Sequence, residues 1–270
     1  AQYLKEQITL PHLEIIFTGH YHNWNTDCFK FKPSFADILI HDLTWSFGRD
    51  TVYWPGQLPF NFTREETVSG DVYTYSVKEF CAAEHGGTHF DAPYHFYQEG
   101  IKVSEIPAQK LFAKGALINL TAEAEEQGRN ARLTVKHLEA WEARNGNFEI
   151  GSVLLVQFGR SKYWQNRTKY LDLEGETLNF PGRFSDEAAR WIVNSQKFYG
   201  VGLDTPSIDP GNTTTYFAHR HLAANNLYNL ENVKILDSLP DKGFDLVIAP
   251  MKIQDGTGAP VRIFATLKNV

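Results

Sequence analysis

The chain has 270 residues, 42% hydrophobic and 14% aromatic, enough to bury a sizeable core in one large domain or two small ones. A formal net charge of −6 with no dense Lys/Arg run argues against a nucleic-acid partner. No apolar stretch approaches the roughly 20 residues of a membrane-spanning helix, so no membrane partner is expected.

The chain begins AQYLKE, without methionine, so either a preceding segment was removed or the chain was trimmed. Residues 1–35 are aromatic and irregular (IIFTGHYHNWNTDCFKFKP) and read as an N-terminal extension, packing on the domain or on a neighbouring subunit. Residues 36–270 carry no repeat, low-complexity segment or linker and read as one domain. After Pro33, ADILIHDLTW is expected as a buried strand with His41 packed inside it. VYTYSVKEF alternates apolar and polar residues, as a half-exposed strand does. GALINL, SVLLVQF, YGVGLD, VKILDSL, DLVIAP and VRIFATL are further strand candidates, most of them rich in β-branched residues.

Helices interleave with these strands. TVKHLEAWEARNG has Thr134 as a cap, Val135, Leu138 and Trp141 on one face, and Gly146 just past its end. FSDEAARWIVNSQKF has Ser185 as a cap, with Asp186 and Glu187 in the first turn beside the helix dipole. A third helix is expected over YFAHRHLAANN, before a reversal at Asn225 and Asn226. Alternation of strand and helix indicates an α/β fold.

Four Asn-x-Thr sequons occur, at Asn61, Asn119, Asn166 and Asn212, where chance would give about one or two. The excess predicts a secreted or secretory-pathway protein glycosylated at Asn61, Asn166 and Asn212; a cytoplasmic protein with unused acceptors is the alternative. Asn119 ends a buried strand and is set aside. Cys28 and Cys81 could form a disulfide in an oxidising compartment, although a small buried hydrophobe is the simpler reading of Cys81.

The densest chemistry lies in HGGTHFDAPYHF, residues 85–96. His85, His89, Asp91 and His95 would share one face of an extended strand. His89 and Asp91 would then stand about 7 Å apart at Cα, a comfortable span for two ligands of one metal. His85 and His89 would be about 13 Å apart, too far to meet on one ion through bonds of roughly 2 Å unless the chain bends. Gly86 and Gly87 are where a bulge or a positive φ costs least, and Pro93 ends ladder pairing. The alternative is a histidine-rich strand bonded to its neighbours, but four potential ligands with bend-formers between them favour metal. Distant partners are needed to close such a site, and His219, His221 and Glu231 in HRHLAANNLYNLEN are the candidates. On an unbroken helix His219 and Glu231 would lie about 18 Å apart, so they converge only if LYNLEN runs back. His20 and His22 read as surface or interface residues, and His12 and His137 as solvated.

With these residues in hand, the sequence resembles the metal-dependent cyclase-like hydrolases, which include bacterial kynurenine formamidase and isatin hydrolase. The family signature H-x-G-T-H-x-D-x-P-x-H is met by His85, Gly87, Thr88, His89, Asp91, Pro93 and His95. DLTWSFGRDTVYWPG, NFPGRFSDEAARWI, VGLDTPSIDPG and HRHLAANNLYNLEN are similar to further family segments, so the likeness runs from about residue 37 to the C-terminus. It implies a single α/β domain of the swivelling β/β/α type, a mixed sheet or barrel with flanking helices, in a homodimer or homotetramer. It also implies one or two divalent ions per chain, zinc or alternatively manganese, and hydrolysis of an amide C–N bond in a formanilide or a cyclic imide-like ring. Carried over, His85, His89 and Asp91 hold the first ion, Asp91 bridges to a second held by His219 and Glu231, and His95 accepts and donates protons. The sequence departs from the family at LLVQFGRSKYW, where Gln157 and Phe158 replace a Thr-Gly pair of many relatives.

Trp45, Phe47, Trp54 and Tyr94 flank the cluster in sequence and are candidates to stack an aromatic substrate, core packing being the alternative for each. Two rival functions remain at this level. His89-x-Asp91 with a distant histidine also satisfies the triad of non-heme iron oxygenases, and a secreted binding protein could retain the metal structurally. A serine hydrolase is excluded by the lack of a G-x-S-x-G elbow.

Overall fold

A computed structural model describes residues 38–268. The N-terminal extension, with His12, His20, His22 and Cys28, lies outside the described residues. Strand β1 (Ile38–Asp42) leads into a long loop, then the hairpin β2 (Asn61–Ser69) and β3 (Thr74–Cys81), and then the three-residue β4 (His89–Asp91). There follow β5 (Phe112–Asn119), α1 (Thr121–Gln127), β6 (Arg132–Leu133), α2 (Val135–Asn145), β7 (Ser152–Gln157) and α3 (Arg167–Leu171). Short β8 (Leu173–Glu174), β9 (Thr177–Leu178) and β10 (Arg183–Phe184) precede α4 (Asp186–Ser195), β11 (Phe198–Leu203), α5 (Phe217–Ala223) and β12 (Tyr228–Glu231). The chain ends in β13 (Phe244–Pro250) and β14 (Gly258–Lys268).

Seven of these strands close on themselves. The order β14-β13-β5-β7-β11-β12-β4 returns to β14, so β4 is bonded on both sides, to β12 and to β14. β5, β7, β11 and β12 run parallel, joined by crossovers that carry α2, α4 and α5; the remaining pairs are antiparallel. The α/β class and the barrel with flanking helices expected from the sequence are both present.

The central strands are buried on both faces, which is why SVLLVQ reads as a continuous apolar run. Alternation along β7 sends Leu154 and Val156 to the helix side, against Leu138, Trp141 and Ile192, while Val153 and Leu155 fill the barrel with Leu230, Leu246 and Ile263. α2 and α4 begin and end as their caps dictate. Ser185 accepts from the Ala188 N–H, and Gly146 closes α2 with φ +81°.

Several local expectations need correction. ADILIHDLTW is not a buried strand: among the described residues β1 pairs only with β14, at the rim, leaving Leu39 and Ile40 about half exposed and His41 half-buried. VYTYSVKEF is exposed on both faces, because among the described residues its hairpin has no third strand beneath it. VKILDSL forms no strand. Its neighbour β12 already has β11 and β4 as partners, so Val233, Ile235 and Leu239 are buried in a loop instead. Cys81 is exposed at the end of β3 rather than a buried hydrophobe. His137 is not simply solvated: its Nδ1 accepts from the Thr134 N–H in a capping box, and its Nε2 lies 3.1 Å from Glu123. Asn119 ends β5 as expected but is exposed, like Asn61, Asn166 and Asn212.

Candidate metal centre

The site lies where β4 crosses the carboxyl end of β12. Gly87 adopts φ +60°, a left-handed conformation that L side chains avoid, and turns the chain between His85 and His89. Gly86 is required for a different reason. A Cβ there would stand 1.9 Å from Cε1 of Tyr53, whose backbone bridges to Gly86. The bend therefore exists where the glycines allowed it. Pro93 then opens a 3-10 turn over Pro93–His95 that brings His95 back over the cluster, its ring stacked on His85 with centroids 3.9 Å apart.

From the other side, α5 ends near Asn225, Asn226 takes φ +57°, and the chain returns as β12. The antiparallel register places Glu231 opposite His89 and Asn229 opposite Asp91. His219 and Glu231 thus converge, with Nε2 3.0 Å from Oε1. His221, the third candidate of that segment, stacks on Phe217 instead and takes no part.

Asp91 is the meeting point. Its Oδ1 lies 2.7 Å from His85 Nδ1 and 3.3 Å from His89 Nε2, and its Oδ2 lies 3.5 Å from His219 Nε2. Glu231 Oε2 lies 3.5 Å from His89 Nε2. The donors group as His89, Asp91 and Glu231 on one side and His85, Asp91 and His95 on the other, with Asp91 common to both. That grouping differs from the one implied by family resemblance, which put His85 and His89 on the same ion and left His95 free of it.

These residues fit a divalent cation. Donors bound at about 2.1 Å around a tetrahedral ion stand roughly 3.4 Å apart, close to the 3.3 Å and 3.5 Å that separate His89 Nε2 from Asp91 and Glu231; His219 Nε2 stands 3.5 Å and 3.0 Å from the other oxygens of the same two carboxylates. Both imidazoles are fixed with the right nitrogen inward: His89 Nδ1 donates to Gly87 O at 2.9 Å and His219 Nδ1 to Asp209 Oδ2 at 2.7 Å. Asp209, which also accepts the Ala218 and His219 N–H groups, has no counterpart among the residues singled out from the sequence. An acid just beyond the carboxyl end of a parallel strand was the available signal. Asp91, His219 and Glu231 are buried, and no lysine or arginine lines the cavity among the described residues. Without a cation the carboxylates draw protons onto the imidazoles. Burial alone would lower His89, but the Asp91 hydrogen bond and the Asp91 and Glu231 charges outweigh it and raise it to about 9. His219 goes the same way, through Asp209, Asp91 and Glu231. A divalent cation balances the same charge without those protons.

His95 differs. Burial pushes it down to about 4, outweighing the pull of Asp91, and leaves its ring a neutral proton acceptor at ordinary pH.

The cluster forms the floor of a cavity of about 200 Å³. Of the four aromatics singled out from the sequence, only Trp54 lines it, edge-on to Phe180. Trp45 turns away and stacks on Trp164, with centroids 5.0 Å apart. Phe47 packs edge-on against Phe60 and Phe80, and Tyr94 lies under the Lys102 ammonium. The cavity walls missed in the sequence are Tyr53, Gln57, Phe96, Leu171, Ser207 and Tyr216.

Comparison with known proteins bears on this site directly. The family model Cyclase matches residues 41–210. An isatin hydrolase of Roseibium aggregatum is 31% identical over 191 residues, covering 67% of this chain and 71% of that protein. A kynurenine formamidase of Bacillus cereus is 29% identical over 227 residues, covering 82% of this chain and 94% of that protein. Among solved structures, isatin hydrolase A from Ralstonia solanacearum superposes with TM-score 0.76 at 28% identity, covering 86% of this chain and 92% of that one.

Proposed function

The chain belongs to the Cyclase family, and from that membership we propose that it is a metal-dependent hydrolase of amide-type C–N bonds in small aromatic substrates. One observation carries the reading: two buried carboxylates, Asp91 and Glu231, face two imidazoles whose Nδ1 protons are already committed elsewhere. His89, Asp91 and Glu231 would hold a divalent ion, with His219 on the other oxygens of the two carboxylates and His85 beside Asp91 available to a second. Imidazole and carboxylate donors suit zinc, and manganese is the alternative. Such an ion supplies a Lewis acid and acidifies water.

The protein's own contribution is positional. His95, neutral and stacked on His85, takes the proton of the attacking water and returns it to the departing nitrogen. Trp54, Phe96 and Tyr216 give the cavity aromatic walls, which support an aromatic ring on the substrate and exclude water from around it. Kynurenine formamidase and isatin hydrolase, the names of the relatives, motivate a formanilide or a cyclic lactam as that substrate. A homodimer or homotetramer is part of this proposal, and the exposure of Asn61, Asn166 and Asn212 supports glycosylation in a secretory compartment.

The test is a hydrolysis assay on zinc-loaded and manganese-loaded protein with N-formylkynurenine, isatin and a panel of formanilides, beside aliphatic amides and lactones. Cleavage of an aromatic amide, lost on chelation and restored by metal, is expected. Metal-loaded protein inert toward every amide of the panel would overturn the reading.

A further inference from the structure

Asn232 follows Glu231 and sits in the left-handed region, φ +53°, with 4% of its surface exposed. Its four polar groups are all engaged with other segments. The backbone N–H donates to Thr205 O at 3.0 Å, and the carbonyl accepts from Thr88 Oγ1 at 2.8 Å. The side-chain Oδ1 accepts from the Tyr170 hydroxyl at 2.8 Å, and Nδ2 donates to Gly87 O at 2.8 Å. Gly87 O is the same carbonyl that accepts the His89 Nδ1 proton, so both its lone pairs are taken. The amide orientation follows from chemistry: a carbonyl only accepts, so the group facing Gly87 O has to be the NH2.

We infer that Asn232 is a positioning residue of the metal centre: it pins the Gly87 carbonyl so that His89 keeps its proton on Nδ1 and turns Nε2 toward Asp91 and Glu231. The inference rests on the metal reading above and is independent of which amide is cleaved. Few residues meet the demand. Asparagine tolerates positive φ and carries a donor and an acceptor on one short side chain. Aspartate would keep the size, the backbone and the Tyr170 bond, but would set an oxygen against Gly87 O at 2.8 Å. The carbonyl then has to move, and His89 with it. Tyr170, wholly buried, is the upstream support, since its single hydroxyl proton goes to Asn232, which is nearer than Asp204 O at 3.1 Å.

The experiment measures zinc affinity by competition with a chromophoric chelator for wild type, Asn232→Asp, Asn232→Gly and Tyr170→Phe. Metal-free thermal melts run alongside, and the zinc-loaded proteins are examined by nitrogen-15 NMR of the histidine rings. Asn232→Asp is expected to weaken zinc by about 10- to 100-fold, as removal of an outer hydrogen-bond partner does. Asn232→Gly keeps the backbone and carries the test should the aspartate variant fail to fold; Tyr170→Phe is expected to weaken zinc less, in the same direction. The wild-type spectrum should show a protonated Nδ1 on His89 that Asn232→Asp disturbs, a signature that general loosening of the fold would not single out. Folded Asn232 variants with wild-type zinc affinity and an unchanged His89 ring overturn the inference alone. Wild-type protein that takes up neither zinc nor manganese overturns the metal reading and the inference together.

Discussion

Glu231 stands directly opposite His89 in the antiparallel ladder between β12 and β4, with Oε2 3.5 Å from Nε2. Backbone pairing rather than loops thus brings two residues far apart in the chain to the spacing that a shared cation would need, and a slip of one residue would turn Glu231 to the other face of the sheet.

Asp91 touches three imidazoles, so it should be the least replaceable donor. Asp91→Asn is expected to lower metal affinity by at least the roughly 100-fold that loss of a supporting partner can cost. Plasma emission spectrometry of the purified variant measures this directly, and full metal content would contradict the assignment.

His95→Ala should behave differently. It is expected to keep its metal and lose about 10²- to 10⁴-fold in kcat, the usual contribution of a positioned acid–base group. Because His95 also lies in the donor group of His85 and Asp91, metal content has to be read beside kcat. A variant depleted of metal would make His95 a ligand, and one with wild-type turnover would remove it from catalysis.

The pH response should invert between metal-free and loaded protein. Asp91 and Glu231 raise metal-free His89 from 6.5 to about 9. A raised value means that the stabilisation is fully present below pH 6.5 and is lost as pH rises through about 9, an effect on the order of 3 kcal/mol for such a group. His219 acts in the same direction. Urea unfolding of chelator-treated protein is therefore expected to show lower stability at about pH 9 than at about pH 6.5. Zinc-loaded protein, whose binding releases those protons, should gain on the metal-free form over the same interval.

Gly86→Ala should act through packing. Its Cβ would overlap the Tyr53 ring, and overpacking of this kind costs about 1–3 kcal/mol. The urea midpoint of the metal-free variant is expected to fall by a corresponding amount, with zinc affinity falling as the hinge shifts. An unchanged midpoint would mean that the loop carrying Tyr53 yields freely.

The His85–His95 cluster was legible because its ligands and the glycines that bend it are neighbours in sequence, and the reversal at Asn226 because asparagine marks such a turn. The division of donors between two groups was not legible. It depends on the register of β4 against β12, a long-range fact. Substrate-facing aromatics failed for a related reason. Trp45, Phe47 and Tyr94 are near the cluster in sequence, but direction is decided by partners elsewhere, such as Trp164, Phe60 and Lys102. VKILDSL had the composition of a strand, but both edges of its neighbour β12 are taken, by β11 and β4.

β4 has only three residues, two of them candidate cation donors, and it is the stave that locks β12 to β14. Few ladder amides hold that seam shut, so part of its grip comes from side chains: Phe90 in the barrel core and, once bound, an ion between His89 and Asp91. Occupancy of the centre and integrity of the ring are then one property: emptying the site would loosen the seam first, while the parallel staves behind it stay tight.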